Sequence, residues 1–122
     1  MLARHVVPIL NVADVAASFD WFEKLGWRRH FEWQAEPGGT IVFGAVMSGE
    51  CEIFMCQDDQ GGRDEHGVWM SIWVADADAE HERAVEQGLD VIRAPADEPW
   101  NVREFHLLHP DGHVLRISQE LK

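Results

Sequence analysis

The sequence predicts an α+β domain made of two copies of one βαβββ unit. Three observations carry this: a repeated helix start and stop, a repeated strand with two distinct faces, and paired turn signals at matching places. Val12-Ala13-Asp14 opens a stretch that stops at Gly26, and Val74-Ala75-Asp76 opens one that stops at Gly88, at an offset of 62. The chain has 122 residues, the size of one ordinary domain with a core of its own. Residues 1–57 and 67–122 are therefore read as two modules of a single domain, 1–122, with 58–66 as linker.

The first strand of each copy comes before the Asp. Val6, Pro8, Leu10 and Val12 alternate with His5, Val7, Ile9 and Asn11. The second copy alternates Val68, Met70, Ile72 and Val74 with Trp69, Ser71 and Trp73. Period 2 is the signature of a strand. The first set is apolar in both copies and is expected to pack under the helix. The other set then faces the opposite side of the sheet.

The helices follow. Each Asp is a good N-cap, since its carboxylate accepts an orphan N–H of the first turn. Each Gly suits the left-handed residue that ends a helix. Val15, Phe19 and Phe22 make an apolar stripe in the first helix; Ala77, Ala84 and Val85 make a weaker one in the second. Three strand-like runs follow each helix: 27–33, 40–47 and 51–56, then 90–93, 102–109 and 113–118. They are split by Pro37-Gly38-Gly39, Ser48-Gly49, a Pro-containing loop and Pro110-Asp111-Gly112, all turn chemistry. Phe43 and Phe105 keep the 62 offset, whereas Gly49 and Gly112 are 63 apart.

Composition narrows the function. The formal charge of −12 argues against nucleic acid, which demands Lys and Arg patches. No apolar run is long enough to span a membrane, and the opening residues lack the pattern of a secretory signal, so the expected location is cytoplasmic. Cys51 and Cys56 are five apart in one strand and point to opposite faces; free, buried thiols are expected. The seven histidines form no recognised metal spacing. Ser71 has no evident His partner for nucleophilic activation, and no glycine run resembles a phosphate loop. The acidic pairs Asp58-Asp59 and Asp76, Asp78 read as solvated or capping groups, and Asp64-Glu65-His66 as part of the polar linker between the halves.

The segments VPILNVADVAASFDWFEKLGW and EPWNVREFHLLHPDGHVLRIS resemble the glyoxalase/bleomycin-resistance/dioxygenase (vicinal oxygen chelate) superfamily. The tail, with Pro-Trp, Arg-Glu-Phe and Pro-Asp-Gly, is most similar to the bleomycin-resistance branch. The resemblance covers nearly the whole chain. It implies curled sheets around a ligand cleft, helices outside, and a homodimer with the site at or near the subunit interface.

Metal-dependent members of that superfamily place ligands seven residues before each capping Asp and four residues after the Gly of the Pro-Asp-Gly turn. Here those positions hold Val7, Trp69 and Arg116. None of the three side chains ligates a divalent cation. Glu52 remains as a lone candidate, with the facing of Glu52 and Phe54 against Ile53 and Met55 left open. No metal, cofactor or catalytic residue is assigned.

The expected ligand site is a concave, mostly apolar surface lined by Val7, Ile9, Asn11, Trp69, Ser71, Trp73 and Arg116, with Trp33 and Trp100 at its mouth. Tryptophan faces suit flat aromatic ligands and cations, while Trp21 and Trp27 are read as packing. The function expected is binding of a small aromatic or cationic molecule, such as a bleomycin-like antibiotic. The alternative is a metal-dependent lyase, isomerase or dioxygenase of the same superfamily.

Overall fold

The computed structural model describes residues 1–57 and 67–122; the expected linker 58–66 lies outside them. Contacts divide the chain into two compact units, Met1–Gly62 and Arg63–Lys122. In the first unit, β1 (Ile9–Val12), α1 (Val15–Lys24), β2 (Arg28–Gln34), β3 (Ile41–Ser48) and β4 (Cys51–Gln57) follow in order. In the second, β5 (Trp69–Trp73), α2 (Ala77–Glu86), β6 (Asp90–Glu98), β7 (Val102–Leu108) and β8 (Val114–Glu120) repeat the order. The sheets are β1-β4-β3-β2 and β5-β8-β7-β6. Both are mixed, with the β1–β4 and β5–β8 pairs parallel and the rest antiparallel. The fold is thus α+β, with two βαβββ modules. Among the described residues, no helix is long and apolar enough to cross a membrane.

Both helices begin where the caps predict. Asp14 accepts from Ala17 N and Asp76 from Ala79 N, each at 3.1 Å. Gly26 and Gly88 take positive φ angles of 91° and 72° after the last turns, conformations that a Cβ disfavours. The apolar stripe of α1 is completely buried at Val15, Phe19 and Phe22, and burying each Phe contributes about 1.5–3 kcal/mol. Helix α1 lies on β2, β3 and β4. Trp21 and Trp27 are buried as expected, meeting Phe22 edge-on at 5.0 and 5.7 Å. On α2, Ala77 and Ala84 are buried but Val85 is 57% exposed. The inward face of α2 runs through Ala77, His81 and Ala84, at i, i+4 and i+7 like Val15, Phe19 and Phe22 in α1, and Val85 falls outside it.

Several expectations need correction. The first strand starts at Ile9, where Pro8 O accepts from Phe54 N. Val6 is 85% exposed, and Val7 lies outside the strand. Proline has no N–H to extend a ladder, which accounts for the late start. Strand β6 runs on through Pro95, with register shifts around Arg93 and Ala96; it is an edge strand, where proline is tolerated. Cys51 is exposed and Cys56 half-buried, both free.

Phe43 and Phe105 fall on opposite faces. A Cβ on Gly44 would meet Phe19 of α1, so Phe43 faces away from the helix. Phe105 meets His81 of α2 at 5.3 Å and so faces it. The equivalent of Phe105 in the first unit is Gly44, which makes the true offset at these strands 61.

Candidate functional site

Each sheet has one face covered by its own helix and a second face, opposite it, where the sequence-predicted residues gather. In the first unit, alternation along β4 places Ile53 and Met55 under α1, both buried. Glu52, Phe54 and Cys56 take the other face. Phe54 meets Phe43 at 5.3 Å and Phe31 at 5.7 Å, and Phe31 meets Phe43 at 5.9 Å. Ile9 lies beside Phe54 in the parallel register and is 55% exposed. Trp33 pairs with Phe43 across the β2–β3 ladder and is 56% exposed. The result is an aromatic surface edged by one polar pair, His30 Nδ1 and Glu52 Oε2 at 2.5 Å. Glu52 is thus engaged by an imidazole. Asn11 shares the parity of Ile9 but is buried, and Val7 is half-buried.

The helix-facing side of the same sheet is built differently. Arg29 sits 4.5 Å over the Phe19 ring and bonds Glu23 and Asp20 at 2.6 and 3.2 Å. Those acids hold its guanidinium above its ordinary value, the Glu23 hydrogen bond first. A cation over an aromatic face adds roughly 0.5–1 kcal/mol when exposed.

In the second unit, Trp69, Ser71 and Trp73 project from β5 on the face away from α2, while Met70 and Ile72, half-buried, share the face of Ile117 and Phe105, where Phe105 meets His81 of α2. Trp69 and Trp73 are 60% and 62% exposed. The ladder sets Val114, Arg116 and Ser118 beside them. The next ladder sets Leu108, His106 and Glu104 opposite those three. Arg116 donates to Glu104 through Nε at 2.7 Å and through a terminal nitrogen at 3.1 Å, a bidentate pair. His106 Nε2 lies 3.3 Å from the same carboxylate, and its ring meets Trp69 edge-on at 5.6 Å. Glu104 is buried, yet the Arg116 hydrogen bonds hold its carboxyl below the usual range against the opposing effect of burial. Arg116 is raised in turn, chiefly by Glu104. Arg93 pairs with Glu98 nearby in the sequence.

Arg116 is therefore occupied by a protein acid. The positions where the resemblance would put metal ligands hold a half-buried Val7, an exposed Trp69 and this paired guanidinium, and they do not fit a divalent cation. Among the described residues, no group of three or more His, Cys, Asp or Glu side chains is placed to hold a metal.

Beyond β6, Trp100 stands 55% exposed in the turn to β7. Trp73, Trp100, Asn101, Val102, Glu120 and Leu121 line an open hollow of about 530 Å³. Asn101 has φ 64°, a left-handed conformation that Asn tolerates better than most residues, and its carbonyl accepts from Leu121 N at 2.9 Å. This bond ties the turn to the end of β8.

The hairpin between β7 and β8 fixes the register that places Glu104. His109 N donates to His113 O at 2.8 Å, closing the turn. Asp111 N donates to His109 Nδ1 at 3.0 Å, and Val68 N donates to His113 Nδ1 at 2.9 Å. Both imidazoles are buried, with ring centroids 5.3 Å apart. Burial, with a smaller contribution from His113, pushes His109 down to about 4, while Asp111 opposes this.

The structure thus brings Trp69, Ser71, Trp73 and Arg116 onto one face, with Trp100 beside Trp73, and places Ile9, Asn11 and Trp33 on the first sheet. Sequence reasoning missed Glu104, His106, Glu120 and the Phe31–Phe43–Phe54 cluster. The sequence offered only the Pro110-Asp111-Gly112 turn; the His109–His113 closure in the structure is what sets Glu104 opposite Ser118.

The profile of the Glyoxalase/Bleomycin resistance protein/Dioxygenase superfamily matches residues 3–117. No curated protein matches the sequence significantly. Among solved structures, TioX from Micromonospora sp. ML1 is similar with a TM-score of 0.82 and 22% identity, covering 98% of this chain and 100% of that one. A glyoxalase-related enzyme from Clostridium phytofermentans gives 0.80 and 23%, covering 99% and 98%. A bleomycin-binding protein complexed with bleomycin gives 0.77 and 17%, covering 97% and 99%. At these identities the structural likeness speaks to the fold, while the profile match spans nearly the whole chain; the chain belongs to the Glyoxalase/Bleomycin resistance protein/Dioxygenase superfamily.

Proposed function

We propose that this protein binds and sequesters a small aromatic or cationic molecule of the bleomycin type, as a cytoplasmic homodimer and without a catalytic step. One observation carries the reading. Trp21 and Trp27 are buried, whereas Trp33, Trp69 and Trp73, on sheet faces away from the helices, are 56%, 60% and 62% exposed, and Trp100, in the turn before β7, is 55% exposed. Indoles left in water on a sheet face are a costly use of apolar area unless something binds them. They offer stacking surfaces to flat rings and quadrupoles to cations. Sequestration needs affinity alone, and the Glu104–Arg116 pair supplies a fixed, internally neutralised floor rather than an acid or base free to react.

The solved complex of a superfamily neighbour with bleomycin makes bleomycin the first probe. Titration with bleomycin is expected to quench tryptophan emission to saturation, and Trp69→Ala and Trp100→Ala are each expected to weaken it. Unchanged binding in both variants would remove these rings from the site. A stoichiometric metal held by His or Glu, found by elemental analysis of chelator-free protein, would favour an enzyme instead. Light scattering after size exclusion tests the dimer.

A further inference from the structure

The hollow at the end of the second sheet combines three features. Two indoles, Trp73 and Trp100, stand on its wall, more than half exposed and without ring contacts among the described residues. Glu120 stands on the same wall. Its carboxylate has no ion pair or hydrogen bond among the described residues, and no arginine or lysine lines the hollow beside it. The sheet register holds the parts together: Trp73 pairs with Ser118, two residues before Glu120 on β8, and Glu120 pairs with Val102. The Asn101–Leu121 bond fixes the turn carrying Trp100 against that strand end.

We infer that this hollow is a site for an organic ammonium ion, held between the Trp73 and Trp100 indoles with Glu120 as its counter-charge. The inference rests on the proposed binding function and narrows its ligand class. An anion is repelled by Glu120. A neutral aromatic ligand buries the indoles but strips water from an unpaired carboxylate. A bare metal ion lacks further donors, because no other His, Cys, Asp or Glu lines the hollow. An alkylated ammonium satisfies all three groups: indole faces attract the cation while its methyl or methylene groups supply apolar contact. A chain of net charge −12 also draws cations towards it.

The test uses choline and its neutral carbon isostere 3,3-dimethylbutan-1-ol, titrated into the full chain while the six tryptophan indole N–H signals are followed by NMR. Choline is expected to move the signals of Trp73 and Trp100 and leave those of Trp21 and Trp27 in place. The isostere and the Glu120→Gln variant should each bind about tenfold more weakly or worse. Glu120 is exposed, so Glu120→Gln is expected to keep the wild-type spectrum elsewhere. Trp100→Leu, at a turn, is a second variant expected to lose choline binding. Equal binding of choline and its isostere, or unchanged affinity in Glu120→Gln, overturns the inference. A bleomycin titration run in parallel separates the two readings. Saturable quenching by bleomycin without choline binding overturns only the ammonium site, and failure of both overturns the binding function too.

Discussion

Acid should weaken this fold through one buried ring. His109 closes the β7–β8 hairpin with its side chain completely buried, 5.3 Å from the buried ring of His113. Its Nδ1 accepts from Asp111 N, a bond that protonation at that nitrogen destroys. Desolvation first, and His113 second, lower it from 6.5 to about 4. The unfolded chain therefore binds the proton more readily than the folded one. The stabilisation is fully present above pH 6.5 and is lost as pH falls towards 4. A tenfold difference in proton affinity between folded and unfolded chain corresponds to about 1.4 kcal/mol. The full effect is therefore about 3 kcal/mol, of which about 2 kcal/mol is lost by about pH 5. Urea unfolding of the wild type and of His109→Gln at about pH 8 and about pH 5 isolates this contribution from the other histidines. The wild type should lose about 2 kcal/mol more than the variant over that window. Parallel losses in the two proteins would show that His109 is not the ring excluded from water, and the account of the hairpin would fail.

The Glu104–Arg116 pair makes a second prediction. Glu104→Gln leaves Arg116 half-paired over a buried amide and should cost about 1–3 kcal/mol in urea unfolding at about pH 7. Because Glu104 titrates below its usual value of 4.5, its stabilising effect in the wild type is present above that pH and fades as pH drops further. In the core of the first unit, a Cβ at Gly44 would come within 2.5 Å of Phe19 Cζ. Gly44→Ala should therefore lower stability by about 1–3 kcal/mol in the same assay, whereas Gly49→Ala, with open space but φ 57°, should cost about 1 kcal/mol from backbone strain alone.

The helices were legible in the sequence because their signals are local. Asp14 with Gly26, and Asp76 with Gly88, act within one turn of the chain, and nothing distant alters them. The faces of β5 were legible too, since alternation of Met70 and Ile72 against Trp69 and Trp73 is a local pattern. Register was harder. The 62 offset at the helices becomes 61 at β3 and β7, so Phe43 and Phe105 resemble each other in sequence and oppose each other in space. A one-residue slip exchanges every side chain between faces. The same dependence hid Glu104, whose partner Arg116 is fixed only once the His109–His113 closure is known. Val7 was placed on a strand by alternation, but Pro8 ends the ladder. Trp33, Trp69, Trp73 and Trp100 were singled out by residue type. The carboxylate of Glu120 was not, because it comes to line the same hollow as Trp100 only through the Asn101–Leu121 bond at the turn.

The most direct trial of the whole account is a calorimetric titration of the intact chain with bleomycin, beside a variant carrying both Trp69→Ala and Trp100→Ala. A saturable heat in the wild type, with affinity reduced at least about tenfold in the variant, is the predicted outcome. Absence of heat in the wild type, or the same isotherm in both proteins, contradicts it.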